Sequence, residues 1–296
     1  MLKPVVAGLD GWRESAAAAD WAAREALRRG LPLRLVHAWE GLSDEEAALP
    51  ELKVPQYRAR RILRGAMDRL TERYPQVYIS AEQLRLSPAR ALESEAEEAE
   101  LLVLGSQGFG AVGGFFAGSV AMATVAHVQR PVVLVRAGNR AEDERFPDAD
   151  GRPPDRTPYR VVVLAVDLDD PCDTLIGFGF EAAACRNATL RVVYVRHTAR
   201  FPSATAAPAR DMDQAEADRA LGAALQPWRE KFPTVRVQAL AVNGGPAQGI
   251  MKASRDAGLL VVGRRPRHAA VGARTGPVAH AVIHHVGCPV AVVPHD

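Results

Sequence analysis

Short apolar runs alternate with longer amphipathic stretches along the whole chain. Val5 to Leu9 is a continuous apolar run and predicts a strand buried on both faces. Glu14 to Arg29 has helical spacing and stops at Gly30. Leu33 to Trp39 predicts a second strand, Pro55 to Tyr74 a second helix, and the alternation from Val77 to Leu86 a third strand. Pro88 opens a helix to Glu98, where its missing N–H costs nothing. Leu101 to Leu104, Ser119 to His127 and Val132 to Val135 complete a strand–helix–strand series. Strands of this kind alternating with helices imply an α/β fold with a parallel sheet covered on both faces. Ligands of such sheets bind at the carboxyl ends of strands, where strand order reverses.

The pattern then repeats. At an offset of 157, "VVAGLD" from Val5 falls on "VVLAVD" from Val162. At an offset of 158, "LLVLG" from Leu101 falls on "LLVVG" from Leu259, His127 on His285, and "PVVLV" on "PVAVV". One domain has been duplicated. Between the copies, "AGNRAEDERFPDADGRPPDRTP" is polar, charged and rich in proline, and reads as a solvated linker. The expected boundaries are a domain at 1–137, a linker at 138–158 and a second domain at 159–296.

The candidate chemistry lies in "GSQGFGAVGGFFAGS", from Gly105 to Ser119, where six of fifteen residues are glycine. It joins a predicted strand to a predicted helix. A helix N-terminus offers unpaired N–H groups and the positive end of a dipole, which suits phosphate. Glycine lets a ligand approach the backbone closely. Ser119 can cap the helix and also offer its hydroxyl to a phosphate oxygen. The spacing is Gly105, two residues, Gly108, nine residues, Gly118, then Ser119. Asp10, at the end of the first strand, is either a ribose acceptor or a cap on the following helix.

With "GLD" at Asp10 and "SVAMATVAHVQRPVVLVR" after the glycine loop, the chain resembles the universal stress protein family in its tandem, two-domain form. The resemblance covers nearly everything except the linker and the segments near 41–54 and 199–212. It implies two open, twisted five-stranded sheets flanked by helices, of the Rossmann-like, adenine nucleotide alpha hydrolase-like kind. It implies ATP as cofactor, with or without Mg²⁺. Carried over, Gly8, Leu9 and Asp10 meet adenine and ribose, and Ala38 contacts adenine through its backbone. Leu104, Gly105 and Gly108 line the ribose and phosphates, and Gly118, Ser119 and Val120 hold the phosphate tail. The implied role is a cytoplasmic stress-response protein that passes its nucleotide state to a protein partner. The implied assembly is an intra-chain pseudo-dimer joined through the final strands, with a homodimer of the whole chain also allowed.

In the second copy Asp167 keeps the place of Asp10, but Pro266 stands for Gly108 and Pro277 for Ser119. Proline has no N–H to give a phosphate, yet suits the first turn of a helix. Arg264, Arg265, Arg267 and Arg274 fall in the same stretch. The expectation is one nucleotide per chain, with a different anion as the second reading for the arginine-rich loop.

The first glycine loop contains no lysine, arginine or acid, and no P-loop or nucleophile elbow occurs. The loop is therefore read as a binder and the chain as no enzyme. The alternatives are a weak ATPase or phosphotransfer enzyme, and an interaction module with a structural nucleotide. His280 and His284 have metal spacing with His285 beside them, but no Cys, Glu or Asp completes the set, and His127 and His285 complement helix C-terminal dipoles; no metal is expected. A net charge of +2 gives no nucleic-acid signature. No apolar run approaches the ~20 residues of a membrane span, and the early first strand leaves no room for a signal peptide. Three cysteines without metal spacing suit a reducing compartment.

Overall fold

A computed structural model describes residues 2–39, 54–106, 118–147, 157–169, 172–196, 213–265 and 275–295. The chain divides into two compact units, Met1–Ala141 and Glu142–Asp296.

In the first unit the order is β1 Val5–Gly8, α1 Arg13–Arg29, β2 Leu33–Ala38, α2 Val54–Arg73, β3 Ile79–Leu84, α3 Pro88–Glu98, β4 Leu101–Ser106, α4 Ser119–His127 and β5 Val132–Arg136. The strands lie in the order β3-β2-β1-β4-β5, all parallel. Strand order reverses between β1 and β4, and that is where a ligand crevice is expected. Consecutive residues Val5, Val6 and Ala7 are all 0% exposed, so both faces of β1 are covered. Helix α1 packs beside α2, and α3 beside α4.

Local chemistry explains the helix ends. Gly30 takes the left-handed conformation (φ 64°) that closes α1, and its N–H returns to the last turn. Glu25, 1% exposed, is held by Arg28 and Arg29 one turn on, at 3.1 and 2.7 Å.

The second unit repeats the frame: β6 Val161–Val166, α5 Asp173–Arg186, β7 Leu190–Arg196, α6 Gln214–Lys231, β8 Val237–Asn243, α7 Pro246–Ala253, β9 Ala257–Arg264, α8 Pro277–His285 and β10 Val290–Pro294. Its parallel strands lie in the order β10-β9-β6-β7-β8. Asn187 replaces Gly30 at the same left-handed helix end, with φ 48°. Asparagine is among the few side chains that tolerate that conformation.

Two expectations change. The stretch from 138 to 158 is not solvated throughout. Ala141–Glu144 forms a 3-10 turn, Arg145 bridges Tyr159 in antiparallel fashion, and Glu144 is 2% exposed. The Arg145 guanidinium lies over the Tyr159 ring, 3.9 Å from its centroid. Gly138–Ala141 thus stay with the first unit, while 142–147 and 157–158 fold with the second; 148–156 lie outside the described residues. Secondly, β4 runs two residues beyond the apolar run, because Gly105 and Ser106 continue the ladder against Val135 and Arg136. Apolar periodicity cannot see a glycine that pairs as a strand residue.

Candidate functional site

In the first unit a cleft of about 240 Å³ opens at the carboxyl ends of β1, β2 and β4. Gly8, Leu9, Asp10, Ala38, Leu104, Gly105, Gly118, Ser119 and Val120 all line it. Gly108 lies outside the described residues.

The glycines have different reasons to be glycine. A Cβ on Gly105 would meet the backbone of Glu14 and Ser15 at 2.6 and 2.7 Å. This glycine lets β4 approach the first turn of α1, so it serves packing as well as the cleft. A Cβ on Gly8 would meet Leu104 at 2.7 Å. Gly118 differs from both: among the described residues nothing lies within 4 Å of its Cβ position, and its φ of −51° is open to any residue.

Gly118, not Ser119, is the N-cap of α4. Ser119 is the first helical residue, so its hydroxyl is not used in capping, contrary to the expectation from sequence. The first intrahelical bond runs from Met122 N–H to the Gly118 carbonyl at 3.1 Å. The N–H groups of Ser119, Val120 and Ala121 precede it and have no backbone partner among the described residues.

Asp10 sits in a tight local network. Its Oδ1 accepts the Trp12 N–H at 2.9 Å, its own N–H donates to Ser15 Oγ at 3.3 Å, and that hydroxyl donates to the Trp12 carbonyl at 2.9 Å. This is an Asx turn. The N-cap of α1 is Trp12 and has no side-chain cap, so Asp10 shapes the turn before the helix rather than capping it. Asp10 is exposed.

His37 also lines the cleft and was not singled out from the sequence. Its Nδ1 lies 2.7 Å from the Leu9 carbonyl. A carbonyl only accepts, so Nδ1 carries the proton and the ring fixes the β1 end. The signal was its place beside Ala38 at the end of β2.

The second unit has a cleft of about 430 Å³ at the equivalent strand ends. Asp167 makes the same turn, accepting the Asp169 N–H at 3.1 Å. Its Oδ2, however, takes the Arg265 guanidinium at 3.2 Å. Gly276 is the N-cap of α8 with φ 72°, and Pro277 is the first helical residue. The His295 ring overlies Gly263, where a Cβ would collide with its Nε2. Tyr194 lines this cleft, and burial, then Asp169 and Asp167, raise its phenol above the ordinary value and keep it neutral. Arg264 is not part of a solvated basic loop: it pairs in β9, is 2% exposed, and burial lowers its pKa. Pro266, Arg267 and Arg274 lie outside the described residues. Among the described residues no group of three potential ligands for a metal occurs, the His280–His284 region included.

The sequence profile of the universal stress protein family matches residues 1–136 and again 158–294. The chain belongs to the universal stress protein family. The universal stress protein Rv2005c of Mycobacterium tuberculosis is 29% identical over 300 residues, covering 97% of this chain and 96% of its own. A universal stress protein crystal structure from Archaeoglobus fulgidus covers 100% of both chains at 14% identity with a TM-score of 0.70, a likeness of fold. A single-domain universal stress protein solved in complex with cAMP matches 46% of this chain and 99% of its own, at 27% identity and a TM-score of 0.39. That complex is a property of that protein. As in other α/β proteins of this kind, the universal stress protein fold puts both clefts at strand ends. No helix among the described residues is long and apolar enough to cross a membrane.

Proposed function

We propose that the first unit of this universal stress protein binds ATP and that the chain acts by holding the nucleotide and presenting that state to a protein partner. One observation carries the reading. The unpaired N–H groups of Ser119, Val120 and Ala121 and the side-chain-free space at Gly118 border a cleft that Asp10 also lines. The first feature suits an anionic tail at a helix N-terminus. Asp10 is an acceptor for ribose hydroxyls. The bonds that hold Asp10 leave its Oδ2 without a partner among the described residues.

The reading is of a binder without efficient turnover. Asp10 is the one carboxylate, and no lysine or arginine is present, among the described residues lining the cleft. Transition-state charge on a transferring phosphoryl group is ordinarily met by lysine, arginine or protein-held Mg²⁺. Mg²⁺ is accordingly assigned no protein ligand here and would travel with the phosphates. Titration calorimetry with ATP, together with a phosphate-release assay in Mg²⁺, tests both parts. Saturable binding with negligible release is the expected result, and absence of binding would overturn the reading. A reducing, cytoplasmic setting is supported by Cys172, Cys185 and Cys288 forming no disulfide among the described residues. Association of the two halves is also proposed, from the family resemblance. Cleavage at a protease site introduced within 148–156 should leave fragments that co-elute.

A further inference from the structure

A second concavity of about 630 Å³ lies in the first unit, between α1 and α2. Ligand sites of ordinary size run to roughly 300–1,000 Å³. Its wall on α2 carries Arg58, Arg61, Arg69 and Arg73, all exposed. These positions fall three, eight and four residues apart, so they form one stripe along the helix. Gly65, between Arg61 and Arg69, leaves a gap in that stripe; a Cβ there would meet only the Arg69 guanidinium, at 3.4 Å. Arg73 is paired with Asp20 at 3.1 Å and closes one end. Arg58, Arg61 and Arg69 have no carboxylate partner among the described residues. At the other end stands Trp12, 67% exposed, with half-buried Ile62 facing the same space.

A row of arginines is ordinarily a solvated face whose stems cover apolar surface. Here the stems leave the groove open and Trp12 bare, and a large exposed apolar group rimmed by charge marks an interaction surface. We propose that this groove docks an acidic amphipathic helix of a partner protein. Carboxylates along one edge of that helix would meet Arg58, Arg61 and Arg69, and one or two large aliphatic side chains would enter between Trp12 and Ile62. The length agrees: from Arg58 to Arg73 a helix rises about 22 Å, some four turns, matching one short docked helix. The floor favours a helix over nucleic acid, because Ala16, Ala19 and Ala66 are small enough for a backbone to approach. Base stacking would need a row of aromatic platforms, and Trp12 is the one aromatic residue among the described residues lining the groove. Leu9 and Ser15 line both this groove and the Asp10 cleft, so the Asp10–Trp12 turn is a common wall. The docking proposal stands without nucleotide.

The test is fluorescence anisotropy in ATP-free buffer, using the whole chain and a labelled, helix-stabilised peptide of about five turns with a leucine stripe flanked by glutamates. Binding is expected at low salt and should weaken as salt rises. Arg61→Glu/Arg69→Glu should weaken it at least about tenfold, because it sets like charges against the peptide. Arg60→Glu/Arg64→Glu, which reverses two arginines of the same helix outside the groove, should change it less than about twofold. Trp12→Ala should weaken binding in unchanged salt dependence. Circular dichroism confirms that each variant is folded. Equal losses in the two arginine pairs, no binding by the glutamate peptide, or displacement of the peptide by an oligothymidine strand would each overturn the proposal.

Discussion

The two clefts of this chain stand on the same frame and differ in a few atoms. In both, a strand-end aspartate accepts the N–H two residues on, Asp10 from Trp12 and Asp167 from Asp169. That device is local: it needs one carboxylate and one N–H, and it survives duplication. The rest does not. Asp167 is latched by Arg265, while the bonds that hold Asp10 leave its second oxygen facing no cation among the described residues. Among the described residues nothing lies near the Cβ position of either Gly118 or Gly276, but Gly118 has an ordinary φ of −51° whereas Gly276 has φ 72°. Backbone conformation therefore calls for glycine in the second unit but not in the first. Pro277 starts α8 as well as Ser119 starts α4, but removes one donor N–H and the hydroxyl. On the proposed reading, fold and anion site are separable: a proline and an arginine would dismantle the site while the sheet stays intact.

The comparison can be broken most severely at Gly118. Gly118→Asp should abolish ATP binding in calorimetry while leaving the melting temperature close to that of the parent, since a Cβ there meets nothing among the described residues. A folded variant with unchanged affinity would show that the phosphates lie elsewhere. Asp10→Ala comes next. A hydrogen bond to a charged group contributes about 1.5–3 kcal/mol, so affinity should fall roughly 10- to 100-fold. Ser119→Pro copies the second unit onto the first and should weaken binding by roughly tenfold, through a lost donor and hydroxyl. The converse, Arg265→Ser with Pro277→Ser, should open the second cleft to weak ATP binding, seen as a second, shallower transition in the same titration.

The smallest effect concerns stability in the second unit. Arg191 grips Asp256 through two hydrogen bonds of 2.6 and 3.1 Å, and this, ahead of the other influences, lowers the Asp256 pKa. A carboxylate with a depressed folded-state pKa stabilises above its unfolded value, near pH 4, and loses that contribution as pH falls through the folded value. Asp256 is 45% exposed, so screening limits the pair to about 0.5–1 kcal/mol. Asp256→Asn should therefore lower the melting temperature by a few degrees at pH 7, and the difference should vanish in strong acid.

Much of this was legible because the strands are buried on both faces, which writes them as continuous apolar runs. The duplicated offsets and the spacing ending in Gly118 and Ser119 placed the cleft for the same reason: strand ends and helix starts are local signals. What was not legible depends on partners distant in sequence. Arg264 looked like a loop cation because composition cannot show a guanidinium buried beside β10. The docking of Arg145 on Tyr159 makes the end of a polar stretch part of a domain, and no periodicity announces a stacking contact. His37 gained its place only once β2 lay beside β1. The groove along α2 exists only because two helices stand apart, a spacing no residue pattern encodes.

The central claim is that the first cleft holds ATP and the second does not. Calorimetric titration of the whole chain, repeated with Gly118→Asp, measures it directly. The account predicts one nucleotide bound per chain in the parent and none in the variant. Two per chain, or one per chain persisting in the variant, would contradict it.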